Sequence, residues 1–251
     1  AIDVREGDTD DLPDGMGTFG SRSAALGGAA LVDAAGAVKR RAREVAAAEL
    51  EVDVGDLEYV GGAFRVAGAP DRSIHLSAVA AILTASGEEL AATRAYDPPN
   101  FGYSFGTHVA VVEVDPETGE TEFHRYVAVD DCGTVLNPLI VEGQIRGGVA
   151  QGVGQALYEG AEYDETGSLL SGSLQDYALP KAQHVPEMET HETVTPSPHN
   201  PLGVKGTGES GTIAATPAVV NAIVDALRHL GVRDVEMPAT PERVWRAIQG
   251  T

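Results

Sequence analysis

A nine-residue stretch, "GVKGTGESG" at 203–211, constrains this chain more than any other segment. Its four glycines leave the backbone bare, and an apolar segment, "TIAATPAVVNAIVDAL", follows directly. Gly206, Gly208 and Gly211 form a G-x-G-x-x-G pattern, which is typical of dinucleotide sites only when a β-strand runs into it. The preceding "TPSPHNPLGVK" contains three prolines and predicts a loop, so the pattern indicates another kind of site.

Two interpretations remain open for Glu209, the one acid of this loop. Glycines let a planar ligand lie against the backbone, and a carboxylate that faces such a ligand with little water around it suits a general base. Alternatively, the charge of Glu209 stabilises the N-terminus of the helix that follows. Lys205 likewise either positions anionic groups or lies in solvent.

Helical and strand patterns mix along the chain without strict alternation, which indicates an α+β fold. The predicted helices are about 23–50, "IHLSAVAAILTAS", the glycine-rich "NPLIVEGQIRGGVAQGVGQALYEG", about 216–230, and "TPERVWRAIQG" with Thr240 as its N-cap. The predicted strands are two in "DLEYVGGAFRV", the hairpin "GTHVAVVEVDPETGETEFHRYVAVDDCG", a short one within "DETGSLLSGSLQDYALPKAQHVP", and "METHETV". We expect one region over 1–251, which divides into two subdomains, about 1–100 and 101–251.

The chain is strongly acidic, with 38 Asp and Glu against 17 Lys and Arg and a net charge of −21. Such a field repels nucleic acid and anionic membranes. Because the acids are scattered, we expect a solvated acidic shell of the kind that halophilic proteins carry; the alternative is an acidic interaction surface. Neither an uninterrupted membrane-length apolar run nor a signal-peptide pattern occurs, so we expect a cytoplasmic protein without a membrane span.

Cysteine and histidine usage limits the metal chemistry that the side chains can provide. Cys132 is the only cysteine, which excludes an internal disulfide and a cysteine-based metal cluster, and we expect it to be a small buried residue. The seven histidines show no H-x-x-H or H-E-x-x-H spacing, so a zinc site built from side chains is not expected.

Four ordered segments carry a family resemblance: "GDTDDLPDGMGTFGSRS" (7–23), "DCGTVLNPLIVEGQIRGGVAQGVGQALYE" (131–159), "QDYALP" (175–180) and "GVKGTGESGT" (203–212). Together they resemble the C-terminal half of the large, molybdenum-binding subunit of the xanthine dehydrogenase/aldehyde oxidoreductase family, nearest its carbon monoxide dehydrogenase-like members. The resemblance covers nearly the whole chain and implies that family's cofactor-binding fold, with mixed sheets and packed helices.

The resemblance implies an oxidoreductase that acts on a small molecule. Enzymes of this family oxidise carbon monoxide, aldehydes or aromatic heterocycles at a molybdenum atom held by a molybdopterin dithiolene, often in the cytosine dinucleotide form. Water supplies the oxygen atom, and the electrons leave through iron–sulfur and flavin subunits. No side chain is expected to ligate the metal, because the cofactor itself holds the molybdenum.

The resemblance also assigns roles to individual residues. Glu209 matches the family's active-site base, and Gln144 matches its cofactor-contacting glutamine, with a helix-surface position as the alternative. Cofactor contacts are further implied for Lys205 and for the loop and glycine positions Thr18, Phe19, Gly20, Ser21, Arg22, Ser23, Gly206 and Gly208. Arg22 and the serines suit a pyrophosphate group, whereas a structural ion pair is the alternative for Arg22.

The chain departs from the family in length. Nothing in it corresponds to the family's N-terminal half, which carries a second cofactor-contacting region and, in carbon monoxide dehydrogenases, the cysteine that binds copper. Cys132 lies in a different motif, "DDCGTVLNP", and is not that ligand. We expect catalysis only when a polypeptide supplies that half, and no cofactor retained by the isolated chain. The alternative is a non-catalytic fragment or scaffold module that keeps the fold.

Overall fold

The computed structural model describes residues 2–12 and 15–250. Pro13 and Asp14, inside the first of the four motifs, lie outside the described residues, as do residues 1 and 251 of the expected region. The chain forms two compact units: a larger unit of residues up to 25 together with 100 onward, and a smaller unit of residues 26–99. The first motif therefore belongs with the C-terminal part of the chain rather than with the segment that follows it.

The smaller unit combines helices with an antiparallel sheet. Helix α1 (Ser23–Leu50) leads into it, followed by strands β1 (Leu57–Val60), β2 (Ala63–Val66) and β3 (Ala69–His75), in the order β1-β2-β3, and by helix α2 (Leu76–Ala85). Ala42 and Ala46 of α1 are fully buried in one cluster with Phe64 and Val79. Both helices and the first two strands are confirmed. Strand β3 was not predicted, because its sequence "APDRSIH" contains residues that are depleted in strands.

A three-stranded sheet lies at the centre of the larger unit. Strands β4 (Phe105–Val114) and β5 (Thr121–Asp131) form the predicted antiparallel hairpin, and β6 (Met188–Glu192) pairs in parallel with β5. In the hairpin turn, Asp115 accepts hydrogen bonds from the Glu117 amide at 2.8 Å and the Thr118 hydroxyl at 2.9 Å. The Glu117 amide, followed by the Thr118 hydroxyl, holds the pKa of Asp115 below its usual value. The α+β class and the strand predicted in "METHETV" are confirmed.

A buried polar network joins the two strands of the hairpin. His108 Nε2 lies 3.1 Å from Asp130 Oδ2, and His108 Nδ1 lies 2.8 Å from the Tyr126 hydroxyl. Burial, and next the charge of Asp130, raises the pKa of Tyr126, so its hydroxyl stays protonated and can donate. The contacts favour the tautomer in which Nε2–H donates to Asp130 while Nδ1 accepts from Tyr126.

Helices α3 (Pro138–Leu157) and α4 (Ser210–Leu227) pack against each other through glycines. A Cβ on Gly148 would lie 2.9 Å from Gly211 Cα, and one on Gly152 would lie 2.6 Å from Ala215 Cβ. A Cβ on Gly211 would lie 2.5 Å from the Ile145 carbonyl oxygen. Such distances leave no room for a side chain, so glycine is what allows the two backbones to touch. The core beneath them includes Val149, Val153, Val219, Ile223 and Tyr126.

Three details of the larger unit correct or confirm the sequence predictions. Helix α4 begins at Ser210, so the predicted start at Thr216 is wrong. The glycines of 203–211 favoured a loop and therefore a later start, but packing on α3 holds this first turn helical. The short strand predicted between residues 164 and 186 is absent from the described residues of that segment, in which Leu169 forms an isolated bridge with Tyr163. Helix α5 (Pro241–Gln249) is capped as predicted, because Thr240 accepts from the Arg243 amide at 3.4 Å.

One described segment, 210–230, is long and apolar enough to cross a membrane by length and composition alone, with a mean hydropathy of 1.3. The sequence prediction, based on uninterrupted apolar runs, did not detect it. Ala215, Val219 and Ile223 of this segment are fully buried in the core of the larger unit. We interpret it as a core helix, since its apolar stripe is already covered by α3 and the sheet.

The α3–α4 contact predicts opposite effects for two neighbouring glycines. Gly148→Ala should lower the free energy of unfolding by about 2 kcal/mol, because the new methyl group would meet the α4 backbone. Gly147→Ala is the matched control, because a Cβ there has no neighbour within 4 Å. That change should be neutral or stabilise the helix by up to about 1 kcal/mol. Urea unfolding of the two variants measures the difference, and equal midpoints would contradict the packing described.

Candidate active site

A hydrogen bond joins the two motifs at opposite ends of the sequence. Ser21 Oγ donates to Glu209 Oε2 at 2.8 Å. Glu209 is the residue directly before α4, and its side chain makes no capping bond to that helix. The carboxylate is exposed, so it is available to a ligand while one of its oxygens is held by Ser21. Glu209 also lies at the helix N-terminus, the position on which the alternative interpretation depends.

Glycines allow these two loops to approach closely. A Cβ on Gly206 would lie 2.8 Å from the Gly20 carbonyl oxygen and 2.9 Å from Ser21 Cβ. A Cβ on Gly208 would lie 3.0 Å from Ser21 Oγ and 3.4 Å from Gln144 Oε1. The structure therefore brings Gly20, Ser21, Gly206, Gly208 and Gln144 together next to Glu209. Any side chain at Gly206 would push the loops apart.

Ser21 adopts a backbone conformation that is unusual for its residue type. Its φ of 53° lies in the left-handed region, which non-glycine residues enter rarely and at a cost. The strained backbone places the Ser21 hydroxyl against Glu209 rather than in a helix cap. Strain of this kind persists where surrounding contacts fix it, and here the contacts come from Gly206 and Glu209.

The remaining predicted residues of the first loop contact one another. The Arg22 guanidinium carbon lies 3.7 Å from the centre of the Phe19 ring, and Arg22 Nη2 donates to the Gly17 carbonyl at 3.0 Å. Thr18 and Ser23 share a hydrogen bond between their hydroxyls. Within the part of the chain that the structure describes, Arg22 forms no ion pair, and its buried Nε has no hydrogen-bond partner. The alternative role of Arg22, a structural ion pair, therefore has no support among the described residues.

Gln144 occupies an exposed position on the first half of α3. The helix begins at Pro138 with Asn137 as its N-cap, whose Oδ1 accepts from the Ile140 amide at 3.3 Å. Gln144 is therefore a helix-surface residue, and that surface is the one next to Gly208. The two interpretations of Gln144 describe the same position, since its amide is both exposed and adjacent to Glu209's loop.

Lys205 does not lie in solvent, so that alternative is wrong. Its side chain is only 9% exposed, and Nζ bonds Asp131 Oδ1 at 3.0 Å and Thr195 Oγ1 at 2.7 Å. Its backbone amide also donates to the Cys132 carbonyl at 2.7 Å. Two of the three ammonium donors are thus used inside the protein, and they attach the 203–209 loop to the end of β5. The predicted cofactor contact of Lys205 remains a prediction.

Sequence reasoning missed the partners of Lys205. Asp131 is buried and also accepts hydrogen bonds from the Thr193 and Thr195 hydroxyls and the Gly133 amide. Burial acts to raise the pKa of Asp131, but these bonds, led by that from Lys205, outweigh it and hold the pKa below its usual value. The only sequence signal was "DDC" at the end of a predicted strand. This signal does not identify a partner of Asp131 that lies 74 residues away in the sequence.

Two further observations concern metals and thiols. Among residues 2–12 and 15–250, no group of three or more His, Cys, Asp or Glu side chains is arranged to hold a metal ion. Cys132 is a buried free thiol, as predicted. Burial, followed by the charge of Glu192, raises the pKa of this thiol, so it is not a reactive thiolate.

The family described as the molybdopterin cofactor-binding domain matches residues 1–186 of this chain. This chain belongs to that family. The matched residues include the first loop and Gln144, whereas Glu209 lies beyond them. The relatives described next align over 94% or more of this chain, so their matches include the Glu209 loop.

Individual relatives extend the match to nearly the whole chain. The carbon monoxide dehydrogenase large chain of Hydrogenophaga pseudoflava is 44% identical over 99% of this chain and 32% of its own length. The nicotine 6-hydroxylase large subunit of Paenarthrobacter nicotinovorans is 40% identical over 94% of this chain and 30% of its own length. This chain therefore spans about a third of the length of the curated relatives that it matches.

A solved structure shows the same fold. The reconstituted carbon monoxide dehydrogenase from Oligotropha carboxidovorans superposes with a TM-score of 0.87 at 40% identity, over 98% of this chain and 31% of the other. The resemblance inferred from the four motifs, and the fold that it implied, are thereby confirmed.

The Asp131–Lys205 pair predicts a defined loss of stability. Asp131→Asn should lower the free energy of unfolding by about 3 kcal/mol or more at neutral pH, because it leaves a buried ammonium without its counter-charge. Adding Lys205→Met to that variant should recover part of the loss, because no buried charge then remains. Urea midpoints of the parent and both variants measure this, and a double variant no better than the single one would contradict it.

The same pair predicts how stability changes with acidity. The folded pKa of Asp131 lies below the unfolded value, so its contribution is complete above about pH 4 and is lost as pH falls through the folded pKa. The parent should therefore lose more stability than Asp131→Asn in this acidic range, and the two curves should converge. Parallel curves for the two proteins would show that Asp131 does not titrate as described.

Proposed function

We propose that this chain is the part of a molybdenum hydroxylase that binds the molybdenum–molybdopterin cofactor and carries the general base, Glu209. The observation that carries the proposal is the Ser21–Glu209 hydrogen bond, which unites two motifs 188 residues apart in one exposed site. Family membership supports the cofactor, and the relatives support the class of reaction. A scaffold module would have no need for an exposed carboxylate held in this way.

The residues present fit a pterin cofactor with a diphosphate. The Arg22 Nε and the Thr207 hydroxyl are buried polar atoms without a hydrogen-bond partner in the described residues, one in each converging loop. Both groups can donate to phosphate or pterin oxygens, and so can the hydroxyls of Thr18 and Ser23. The bare backbone of Gly206 and Gly208 provides additional amide donors at close range.

Each residue then has a specific task. The bound cofactor would supply the redox-active metal centre at which an oxygen atom derived from water reaches the substrate. Gln144 would donate and accept hydrogen bonds at the edge of the cofactor, and Arg22 would neutralise phosphate charge. Ser21 would orient Glu209, and the Glu209 carboxylate would accept the proton released when oxygen is transferred. Asp131 and Lys205 would fix the loop that carries this carboxylate.

The substrate class is a small carbon-centred molecule: carbon monoxide, an aldehyde or an aromatic heterocycle. The relatives' names include carbon monoxide dehydrogenase and nicotine 6-hydroxylase, which correspond to the first and the last of these three kinds of substrate. The Arg22 loop offers donors for a diphosphate, which suits a dinucleotide form of the cofactor, and the family resemblance leads us to propose the cytosine dinucleotide. The rest of a large subunit, together with iron–sulfur and flavin subunits, would complete the enzyme and accept its electrons.

We also propose a cytoplasmic protein that is adapted to high salt. The net charge of −21 is spread over an exposed surface that includes most of the acids. Hydrated carboxylates keep such a surface soluble where salt screens their mutual repulsion. The core position of segment 210–230 is consistent with this location.

The role of Glu209 predicts a selective loss of activity. In the assembled enzyme, Glu209→Gln should lower turnover by at least about a hundredfold, because the amide cannot accept the proton. Its molybdenum content, measured by elemental analysis, should equal that of the parent, since an isosteric amide leaves the loops in place. Glu117→Gln, at an exposed acid of the hairpin turn, is the control and should retain full turnover. Turnover retained in Glu209→Gln would remove the general-base role, and a parent without molybdenum would remove the cofactor proposal itself.

The acidic shell predicts stability that depends on salt. The urea midpoint should rise from low to molar KCl, because ions screen the repulsion among surface carboxylates. A variant with three exposed acids removed (Glu58→Gln, Glu117→Gln and Glu165→Gln) should show a smaller rise. Midpoints that do not change with KCl would argue against adaptation to salt.

A further inference from the structure

Strand β4 is a long edge strand without a partner on its outer side. The order of the sheet is β4-β5-β6, so β4 bonds to β5 along one side only. Among the described residues, no backbone hydrogen bond joins the other side of β4 to any segment. The strand has ten residues, and each unpaired amide and carbonyl on its free side is a group to which another strand can bond.

The side chains of β4 do not protect this edge. The outward-facing Phe105, Val109 and Val111 are exposed, and Val109 is 51% exposed. The strand contains neither lysine nor proline, and its one histidine, His108, is buried beneath the sheet. Its one charged residue, Glu113, lies near the far end and contacts His124 of β5, so residues 105–112 present no exposed charge. Proteins usually blunt a free edge with charges, proline or short strands, so a long apolar edge marks a surface that is covered in the working assembly.

This edge adjoins the anchor of the Glu209 loop. The Phe105 ring centre lies 4.7 Å from Lys205 Nζ, whose contacts with Asp131 and Thr195 attach that loop to β5. Just before β4, a Cβ on Gly102 would lie 3.5 Å from Ser197 Oγ, in the same loop region. A strand added to β4 would therefore cover the exposed side of Phe105, whose ring lies over Lys205.

We propose that β4 is a strand-pairing site for the part of the large subunit that lies outside this chain. An extended apolar segment of that polypeptide would add a fourth strand to the sheet, with backbone bonds along β4 and side chains against Val109 and Val111. The inference rests on the proposed function, because it requires a large subunit to assemble. Length supports this occupant: nearly all of this chain aligns with only 32% of the Hydrogenophaga large chain.

The test uses the assembled protein, purified from the organism that encodes it, and residue-resolved amide hydrogen exchange. We expect all amides of β4 to exchange as slowly as those of the central strand β5. A free edge would instead leave about every second β4 amide exchanging roughly tenfold faster or more. A photo-cross-linking residue placed at Val109 should react with a peptide of the large subunit from outside residues 1–251. Molybdenum is measured on the same sample.

The outcomes separate this inference from the proposed function. Fast alternate amides, or a cross-link to a second copy or to another subunit, overturn the strand-pairing proposal even if molybdenum is bound. Slow exchange with the expected cross-link supports it, and missing molybdenum would then count against the cofactor role alone. Val109→Lys should open β4 to exchange, whereas Val60→Lys, at a 48% exposed valine on edge strand β1, should not. Identical β4 exchange in both variants would also overturn the proposal.

Discussion

The contact between α3 and α4 determines where a site can form in this chain. Gly148 and Gly211 bring the two helix backbones within touching distance, without side chains whose rotamers could change the spacing. Glu209 lies two residues before Gly211, and Gln144 lies one helical turn before Gly148. The same contact therefore fixes the carboxylate and the amide relative to each other. The loop containing Ser21 then closes over this pair by a hydrogen bond and by its approach to Gly206.

Much of this arrangement could be predicted because its signals are local. Asn137 followed by Pro138 predicts a helix start, Thr240 followed by Pro241 predicts another, and both caps form. The glycine content of 203–211 indicated a close backbone approach, which the structure shows between Gly206 and Gly20. The order of the motifs along the chain indicated the family before any geometry was known. In each of these cases, the residue type alone indicates the local structure: a helix start or a close backbone approach.

The features that escaped prediction depend on contacts between distant residues. The buried ion pair of Lys205 escaped prediction because its carboxylate partner is distant in the sequence, whereas folding brings Asp131 to within 3.0 Å. The first turn of α4 looked like loop because glycine disfavours helix, but tertiary packing on α3 outweighs that local preference. Strand β3 forms for the same reason, since pairing with β2 compensates for residues that are poor strand formers.

The two adjacent aspartates at the end of β5 also control how the hairpin can vary. Successive side chains of a strand point to opposite faces, so Asp130 reaches His108 on one face while Asp131 reaches Lys205 on the other. A slip of β5 by one residue would move one aspartate into the position of the other, and would leave either the His108 imidazole or the Lys205 ammonium buried without its acceptor. The pair thus rejects misaligned hairpins during folding. An insertion between Asp130 and Asp131 would act in the same way, because it would turn one carboxylate to the wrong face of the sheet.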